Sequence, residues 1–309
     1  MIEDERRRLN LIKPNLERRA LIVHFTRAFF REQGFLEVET PVRMPGVAPE
    51  QHITPVESEG WFLSTSPELH MKRLLSAGYD KLFQVSHCFR KGERGQHHNP
   101  EFTMVEWYRT GADYMQLIHD TELLVMTVID RLGLAPKIKY RGRNINLTLP
   151  WTRITVRDAF LHATGWDPIA TSDPLRFDVD LVEKVIPGFT PSRPTVLMDY
   201  PSTATSLAHS KPGEPGVAER AEVFIGGLEL ANAYSELIDV REMERRFQNE
   251  IEQIQREQGR LMAMPQRFLE AAVGLPECGG IALGMDRLVM LLCDAGSVGD
   301  VMPFTVDTV

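Results

Sequence analysis

Residues 81–111 read KLFQVSHCFRKGERGQHHNPEFTMVEWYRTG, and their alternation predicts two strands joined by a polar loop. Counting by twos from Arg90 places Gln84, Ser86 and Cys88 on one face of the first strand, with Phe83, Val85 and Phe89 on the other. One face reads as a core and the other as the floor of a site. On the return strand Phe102, Met104, Glu106 and Tyr108 share a face over roughly 20 Å, at about 3.3 Å per residue. A flat ring at one end suits a heterocyclic base, and a carboxylate beside a phenol at the other end suits an amine. Arg90 between them faces anionic oxygens. The connecting loop, Lys91 to Asn99, holds Gly92, Gly95 and Glu93 among Lys91, Arg94, His97 and His98, a composition able to close over phosphates. A sheet hairpin with one polar face accounts for the same pattern, so the hairpin alone leaves both readings open.

The whole chain has 309 residues, with 35 Lys and Arg against 43 Asp and Glu and a formal charge of −8. That length supports a large core, and the acidic balance disfavours a nucleic-acid-binding face because no long basic run offsets it. The three cysteines, Cys88, Cys278 and Cys293, show no CxxC spacing and lie in or beside apolar segments, which predicts reduced thiols in a cytoplasmic protein and no zinc site. The amino terminus, MIEDERRRLN, is charged from its third residue, and no apolar run approaches the ~20 residues that span a bilayer. No repeat and no composition break divides the chain, so a single domain over 1–309 is expected.

Asn15 is placed to cap a helix running to about Gln33, with Gly34 as its stop. Phe35 to Thr40 then reads as a strand ended by Pro41, followed by an irregular Pro- and Gly-rich segment. In STSPELHMKRLLSAG, Ser66 can cap, Pro67 takes the first helical position and Glu68 the first turn. Capping explains all three and leaves room for Glu68 to face a ligand. Asp113 to Leu132 and Thr155 to Thr164 read as helices with Asp113 and Thr155 as caps, Ile145 to Leu149 and Pro194 to Tyr200 as strands, and Ser202 to Gly216 as a long loop.

EVFIGGLELANAYSE begins as a strand and sets Glu229 and Glu236 seven residues apart. On an unbroken strand an odd separation puts them on opposite faces, so they converge on a common ligand only if the chain bends or turns helical after Gly227 or Ala231. A solvated strand end is the alternative. The last motif, Gly279 to Leu292, reads as strand, bend at Gly284 and helix. Arg287 in that helix's first turn opposes the dipole unless an anion lies near, or unless it pairs with Asp286.

GFLEVETP, FRKGERGQHHNPEFTMVEWY, GLELANAYSEL and GIALGMDRLVMLL, in that order, resemble the three signature motifs of class II aminoacyl-tRNA synthetases, and HNPEFTM with ELANAYSEL is most similar to the lysyl branch. The resemblance covers the chain from about Asn15 onward. Only about fourteen residues precede the first expected helix, where lysyl synthetases carry an anticodon-binding barrel. A core standing alone looks like the ligase family that joins β-lysine to a lysine of elongation factor P. A free-standing enzyme charging tRNA and a silent regulatory paralogue are the alternatives.

The resemblance implies an α+β fold, an antiparallel sheet flanked by helices, and a homodimer built through the helix and strand ending at Pro41. It implies ATP and Mg²⁺ as cofactors, elongation factor P as the acceptor, and neither tRNA nor membrane as a partner. Arg90 is then expected at the α-phosphate, and Phe102 and Arg287 about adenine, with Lys91, Gly92, Glu93, His98 and Asn99 helping to hold ATP. Glu229 and Leu230 fall at the nucleotide and metal, Glu236 at metal and substrate, and Gly284 against the nucleotide. Ser66, Pro67, Glu68, Glu106 and Tyr108 line the amino-acid pocket. The chain departs from the lysyl pattern at Gly92, where a glutamate is usual and here arrives one residue later as Glu93, at Ile238 in place of Asn, and at Ala282 in place of Gly. The extra methyl of Ala282 crowds the α-amine of an α-amino acid and spares a β-amino acid.

Overall fold

The computed structural model describes residues 2–205 and 207–309. It opens on a long helix, α1 (Ile2–Glu32), with Glu3, Asp4 and Glu5 in the first turn, where acidic side chains suit the positive end of the helix. The helix thus starts well before Asn15, the expected cap. Pro14 lies inside it and removes one backbone hydrogen bond. Tertiary contacts hold the helix through that point: Asn15 donates to the Asp300 carbonyl (2.9 Å) and Arg18 to that of Leu292 (2.9 Å).

Strand β1 is only Leu36–Glu37, shorter than expected, because beyond Val38 the backbone leaves the sheet and the Thr40 N–H bonds the Gln84 side chain. The supposedly irregular segment after Pro41 contains β2 (Arg43–Met44), β3 (Glu57–Ser58) and β4 (Trp61–Leu63), which make a small sheet of their own. Helix α2 (Glu68–Ser76) follows. The expected hairpin is present as β5 (Lys81–Phe89) and β6 (Glu101–Thr110), with Gln84 opposite Glu106, Ser86 opposite Met104 and Cys88 opposite Phe102.

Helix α3 (Tyr114–Arg131) is capped by Asp113, with Gln116 answering reciprocally. Then come β7 (Lys137–Tyr140), β8 (Arg143–Asn146), β9 (Thr152–Thr155), α4 (Val156–Thr164) and α5 (Pro174–Asp180), with Thr155 capping α4 and Gly165 ending it in the left-handed conformation. The chain closes with β10 (Thr195–Pro201), β11 (Val217–Ile225), β12 (Leu228–Ser235), α6 (Val240–Gln258), α7 (Gln266–Ala272), β13 (Cys278–Gly284) and α8 (Met285–Cys293).

The main sheet runs β1-β5-β6-β13-β12-β11-β10-β9. The six central strands are antiparallel, as expected, whereas the edge strands β1 and β9 pair in parallel. Apolar residues of one face, Phe83, Val105, Trp107, Ala233 and Ile281, pack against Phe30 of α1, Leu117 and Leu124 of α3 and Leu288 of α8. The other face stays open at its centre and is walled at its ends. Leu69, Phe247 and Phe268 from α2, α6 and α7 form one flank, and Phe160 and Phe177 from α4 and α5 the other. Among the described residues no helix is long and apolar enough to cross a membrane.

Candidate active site

A cavity of about 210 Å³ lies on the open face, over β6, β12 and β13. Its acidic end is built from β6 and the start of α2. Glu106 is buried, with one carboxyl oxygen accepting from Ser66 Oγ (2.7 Å) and the other from the Tyr108 hydroxyl (2.9 Å). Ser66 Oγ also accepts the Glu68 N–H (3.0 Å), but the helix begins one residue later than expected: Pro67 rather than Ser66 holds the cap position, Glu68 is the first helical residue, and Pro67 does not line the cavity. Burial, reinforced by the nearby charge of Glu68, pushes the Glu106 carboxyl up to about 8. At pH 7 a carboxyl so placed is mostly protonated unless a cation binds beside it.

Below it stands a group that sequence reading passed over. Lys72 is fully buried, its ammonium 2.5 Å from Glu68 Oε1 and 2.5 Å from Glu236 Oε2. Burial alone would lower its pKa, but the Glu236 and Glu68 carboxylates raise it well above the usual lysine value, so it remains an ammonium. Its position four residues after Glu68 is the helical spacing for an ion pair, and was the signal available in the sequence. Gly280 is the other omission. A Cβ there would lie 2.2 Å from Glu236 Oε1 and 2.2 Å from a Tyr108 ring carbon, so only glycine lets β13 pass beneath these groups. Ala282, on the same face, sits between Glu106 and Asn232 across its two neighbouring strands.

Glu229 and Glu236 come to one face by neither of the expected routes. The register of β11 against β12 shifts between Val223 and Phe224, so Leu230 is the extra residue of a bulge and the alternation changes phase there. Leu230 itself is buried beneath the cavity wall. The two carboxylates then take different partners. Glu236 is held by Lys72, while Glu229, its side chain 41% exposed, lies 3.5 Å from Arg287. Among the described residues no cluster of three or more His, Cys, Asp or Glu forms a ready metal cage. Glu229 fits an ion whose other ligands are nucleotide oxygens, as is usual for magnesium. Glu236 could join it only by exchanging Lys72.

At the opposite end the Arg90 guanidinium lies over the Phe102 ring, 5.1 Å from its centroid, and 3.7 Å from Glu93. Arg90 Nε is buried with no hydrogen-bond partner among the described residues, an orphaned donor that a phosphate oxygen would satisfy. Arg287 donates to the Glu229 carbonyl (2.7 Å) and meets His98 Nε2 at 2.8 Å. Desolvation and the Arg287 charge lower the His98 pKa, leaving a neutral ring able to accept that bond. Asp286 is not the partner of Arg287: it pairs with Arg19 (2.6 Å) and accepts the Thr103 N–H (2.8 Å), locking α8 to α1 and β6. Gly284 ends β13 and holds the cap position of α8, beside the Arg287 side chain.

The hairpin loop divides in two. Glu93 and His98 line the cavity, whereas Lys91 and Gly92 do not. Gly92 has φ +82°, a left-handed conformation that the glutamate usual there would adopt only with strain. Asn99 lines the cavity but its amide is engaged elsewhere, donating to the Glu101 carbonyl (2.6 Å) and accepting the Val306 N–H (3.0 Å). It anchors the loop to the end of the chain. Ile238 packs with the apolar cluster of α2, α6 and α7. The three cysteines are free, and burial pushes Cys88 and Cys278 up to about 12.

The cavity therefore presents a ring and an arginine with an unpartnered Nε at one end and buried carboxyls at the other, the layout of a site that activates a carboxylic acid bearing amines. Comparison with known proteins agrees. The family model described as tRNA synthetases class II (D, K and N) matches residues 6–308. Relatives named elongation factor P–(R)-β-lysine ligase are 38% identical in Salmonella gallinarum and 37% identical in Salmonella paratyphi B and Salmonella typhi, each alignment covering 95% of this chain and 95% of the relative. With three of the four quoted stretches lining one cavity and the match running nearly end to end, the chain belongs to the class II tRNA synthetase family of the D, K and N type.

Proposed function

We propose that this chain is an ATP-dependent ligase that forms the acyl adenylate of (R)-β-lysine, less readily that of α-lysine, and transfers the acyl group to the ε-amine of a lysine on elongation factor P. The observation that carries the reading is the acidic end of the cavity. Glu106 and Glu68 line it with Glu236 just behind, and among the described residues Lys72 is the one cation in ion-pair contact with Glu68 and Glu236, while Glu106 has none. Buried carboxyls in excess are costly unless a ligand brings positive charge, and a diamino acid does so. The names of the relatives point to β-lysine and to the acceptor.

In the first half-reaction the substrate carboxylate attacks the α-phosphorus of ATP and pyrophosphate leaves. Arg90 neutralises the α-phosphate, its orphaned Nε meeting an oxygen, while Phe102 and Arg287 hold adenine and the neutral His98 steadies Arg287. Glu106, Glu68 and Glu236 fix the amines, so the carboxylate is aimed along β6 toward Arg90. Glu229 is the residue that would hold magnesium, which would supply charge neutralisation for the leaving pyrophosphate.

The exposed apolar residues Leu11, Leu21, Leu36, Val42 and Trp61 lie on α1 and the segment after it. We assign them to a homodimer contact. The net charge of −8 opposes tRNA, whose binding draws on cation–phosphate contacts, and free thiols fit a cytoplasmic protein. The test is pyrophosphate exchange with ATP, Mg²⁺ and a panel of α- and β-amino acids. Exchange driven best by (R)-β-lysine is expected, and exchange indifferent to the second amine would refute the reading.

A further inference from the structure

A second cavity, of about 470 Å³, opens beside the first, and Glu50, Arg90, Glu229 and Tyr234 are among the residues that line both. Its walls carry Asp173, Asp178, Glu222 and Glu250, with the rings of Trp166 and Phe177. Of its two arginines, Arg90 stands at the end shared with the first cavity, and Arg220 is already matched: Glu222 lies 2.5 Å away, and the guanidinium is 4.4 Å from the Tyr200 ring centroid and 5.6 Å from that of Tyr234. The passage is thus anionic and separate from the amine-binding carboxyls, and it leads to Arg90, where the acyl phosphate forms. A positively charged side chain is the visitor it fits.

Glu50 stands at the junction. Its neighbours are clamped by α6 and the residues after it: the Gln51 N–H donates to Glu250 (3.2 Å), Gln258 donates to the Gln51 carbonyl (2.7 Å), and Arg260 donates to the Ile53 carbonyl (3.1 Å). The backbone is held, yet the Glu50 carboxylate makes no hydrogen bond or ion pair with any described residue. A positioned carboxylate left free between two cavities is the arrangement expected of a group awaiting a proton.

We infer that Glu50 is the base of the second half-reaction, taking a proton from the acceptor lysine as its ammonium arrives through the second cavity. This rests on the function proposed above. The ammonium gives one proton to the carboxylate, and the freed amine attacks the acyl carbonyl carbon. A C–N bond forms, the bond from that carbon to the phosphate oxygen breaks, and AMP leaves with the electron pair. The second proton on nitrogen departs with the AMP phosphate to solvent. Electrostatics favour the role. Desolvation is the largest influence on Glu50, Arg90 and Arg220 pull its pKa down, Glu68 and Glu250 push it up, and the outcome is about 7. A carboxylate near 7 is better matched to an ammonium near ~10.4 than an ordinary one.

The test compares wild type with Glu50→Gln in three assays: pyrophosphate exchange, discharge of preformed β-lysyl adenylate by hydroxylamine, and single-turnover transfer to elongation factor P. Hydroxylamine is neutral at pH 7 and needs no base. Exchange within about threefold of wild type, equal hydroxylamine discharge and transfer slowed by about 10²-fold are expected. The wild-type transfer rate should rise through about pH 7 and level off above it, whereas in Glu50→Gln it should stay lower and keep climbing beyond about pH 8 as the free amine fraction of the acceptor grows, with Glu50→Asp partly restoring the plateau. Transfer at the wild-type rate in Glu50→Gln overturns the inference, as does a loss of exchange or hydroxylamine discharge as large as the loss of transfer. Wild-type protein lacking β-lysine-dependent exchange would instead defeat the proposed function, and this inference with it.

Discussion

Gly280, Glu106 and Phe102 each make a claim that one substitution can test. Gly280→Ala forces a methyl into the 2.2 Å space before Glu236 Oε1 and the Tyr108 ring. Overpacking of this kind disturbs a site by about 1–3 kcal/mol, so the Michaelis constant for the amino acid should rise about tenfold or more while that for ATP changes little; equal increases in both would show a general distortion. Phe102→Ala should do the reverse, since stacking on a base contributes roughly 1–3 kcal/mol. Glu106 governs the response to pH. Its carboxyl, raised to about 8 by burial, is mostly protonated at pH 7, whereas a bound ammonium favours the carboxylate. Binding therefore releases a proton, and affinity should increase as pH climbs from about 6.5 to 8.5, with Glu106→Gln flattening the slope. Calorimetry in buffers of different ionisation enthalpy detects the proton directly; wild-type binding with no buffer dependence would contradict the assignment. These roles were only partly legible in sequence. Alternation placed Phe102 and Glu106 on one face, but nothing local announced that Gly280 is required by a neighbour from another strand.

The elements that sequence located well are those whose signals are local. The hairpin of β5 and β6, and α3 and α4 with their caps, follow from alternation and from Asp113 and Thr155. Removing the Asp113 cap should lower stability by about 1 kcal/mol with unchanged Michaelis constants, because α3 packs on the face of the sheet away from the cavity; a shift in those constants would show coupling through the sheet. What sequence left open was set by pairing between distant segments. The small sheet of β2, β3 and β4 lies in a Pro-rich stretch, and the extension of α1 past Pro14 depends on contacts with Asp300 and Leu292. The bulge at Leu230 is of the same kind: parity placed Glu229 and Glu236 on opposite faces until a register shift brought them together. Since their partners differ, Arg287 for one and Lys72 for the other, mutating both should give nearly additive losses in exchange activity. A double mutant no worse than the weaker single would mean instead that they serve one ion.

For the whole molecule, the order of four quoted stretches in the sequence led to the family, and the sheet explains why three of them belong together: β6 lies beside β13 and β13 beside β12, with α8 starting where β13 ends, although more than a hundred residues separate β6 from β12. The proposed dimer is a claim at this scale. Light scattering should give twice 35.1 kDa, and Leu21→Glu with Leu36→Glu should give a monomer; a wild-type monomer would refute the contact. The central claim concerns the acceptor. Purified protein with ATP, Mg²⁺ and labelled (R)-β-lysine should be offered elongation factor P and total tRNA in parallel. Label on a lysine of elongation factor P and none on tRNA is the expected result, and charged tRNA with unmodified elongation factor P would contradict it.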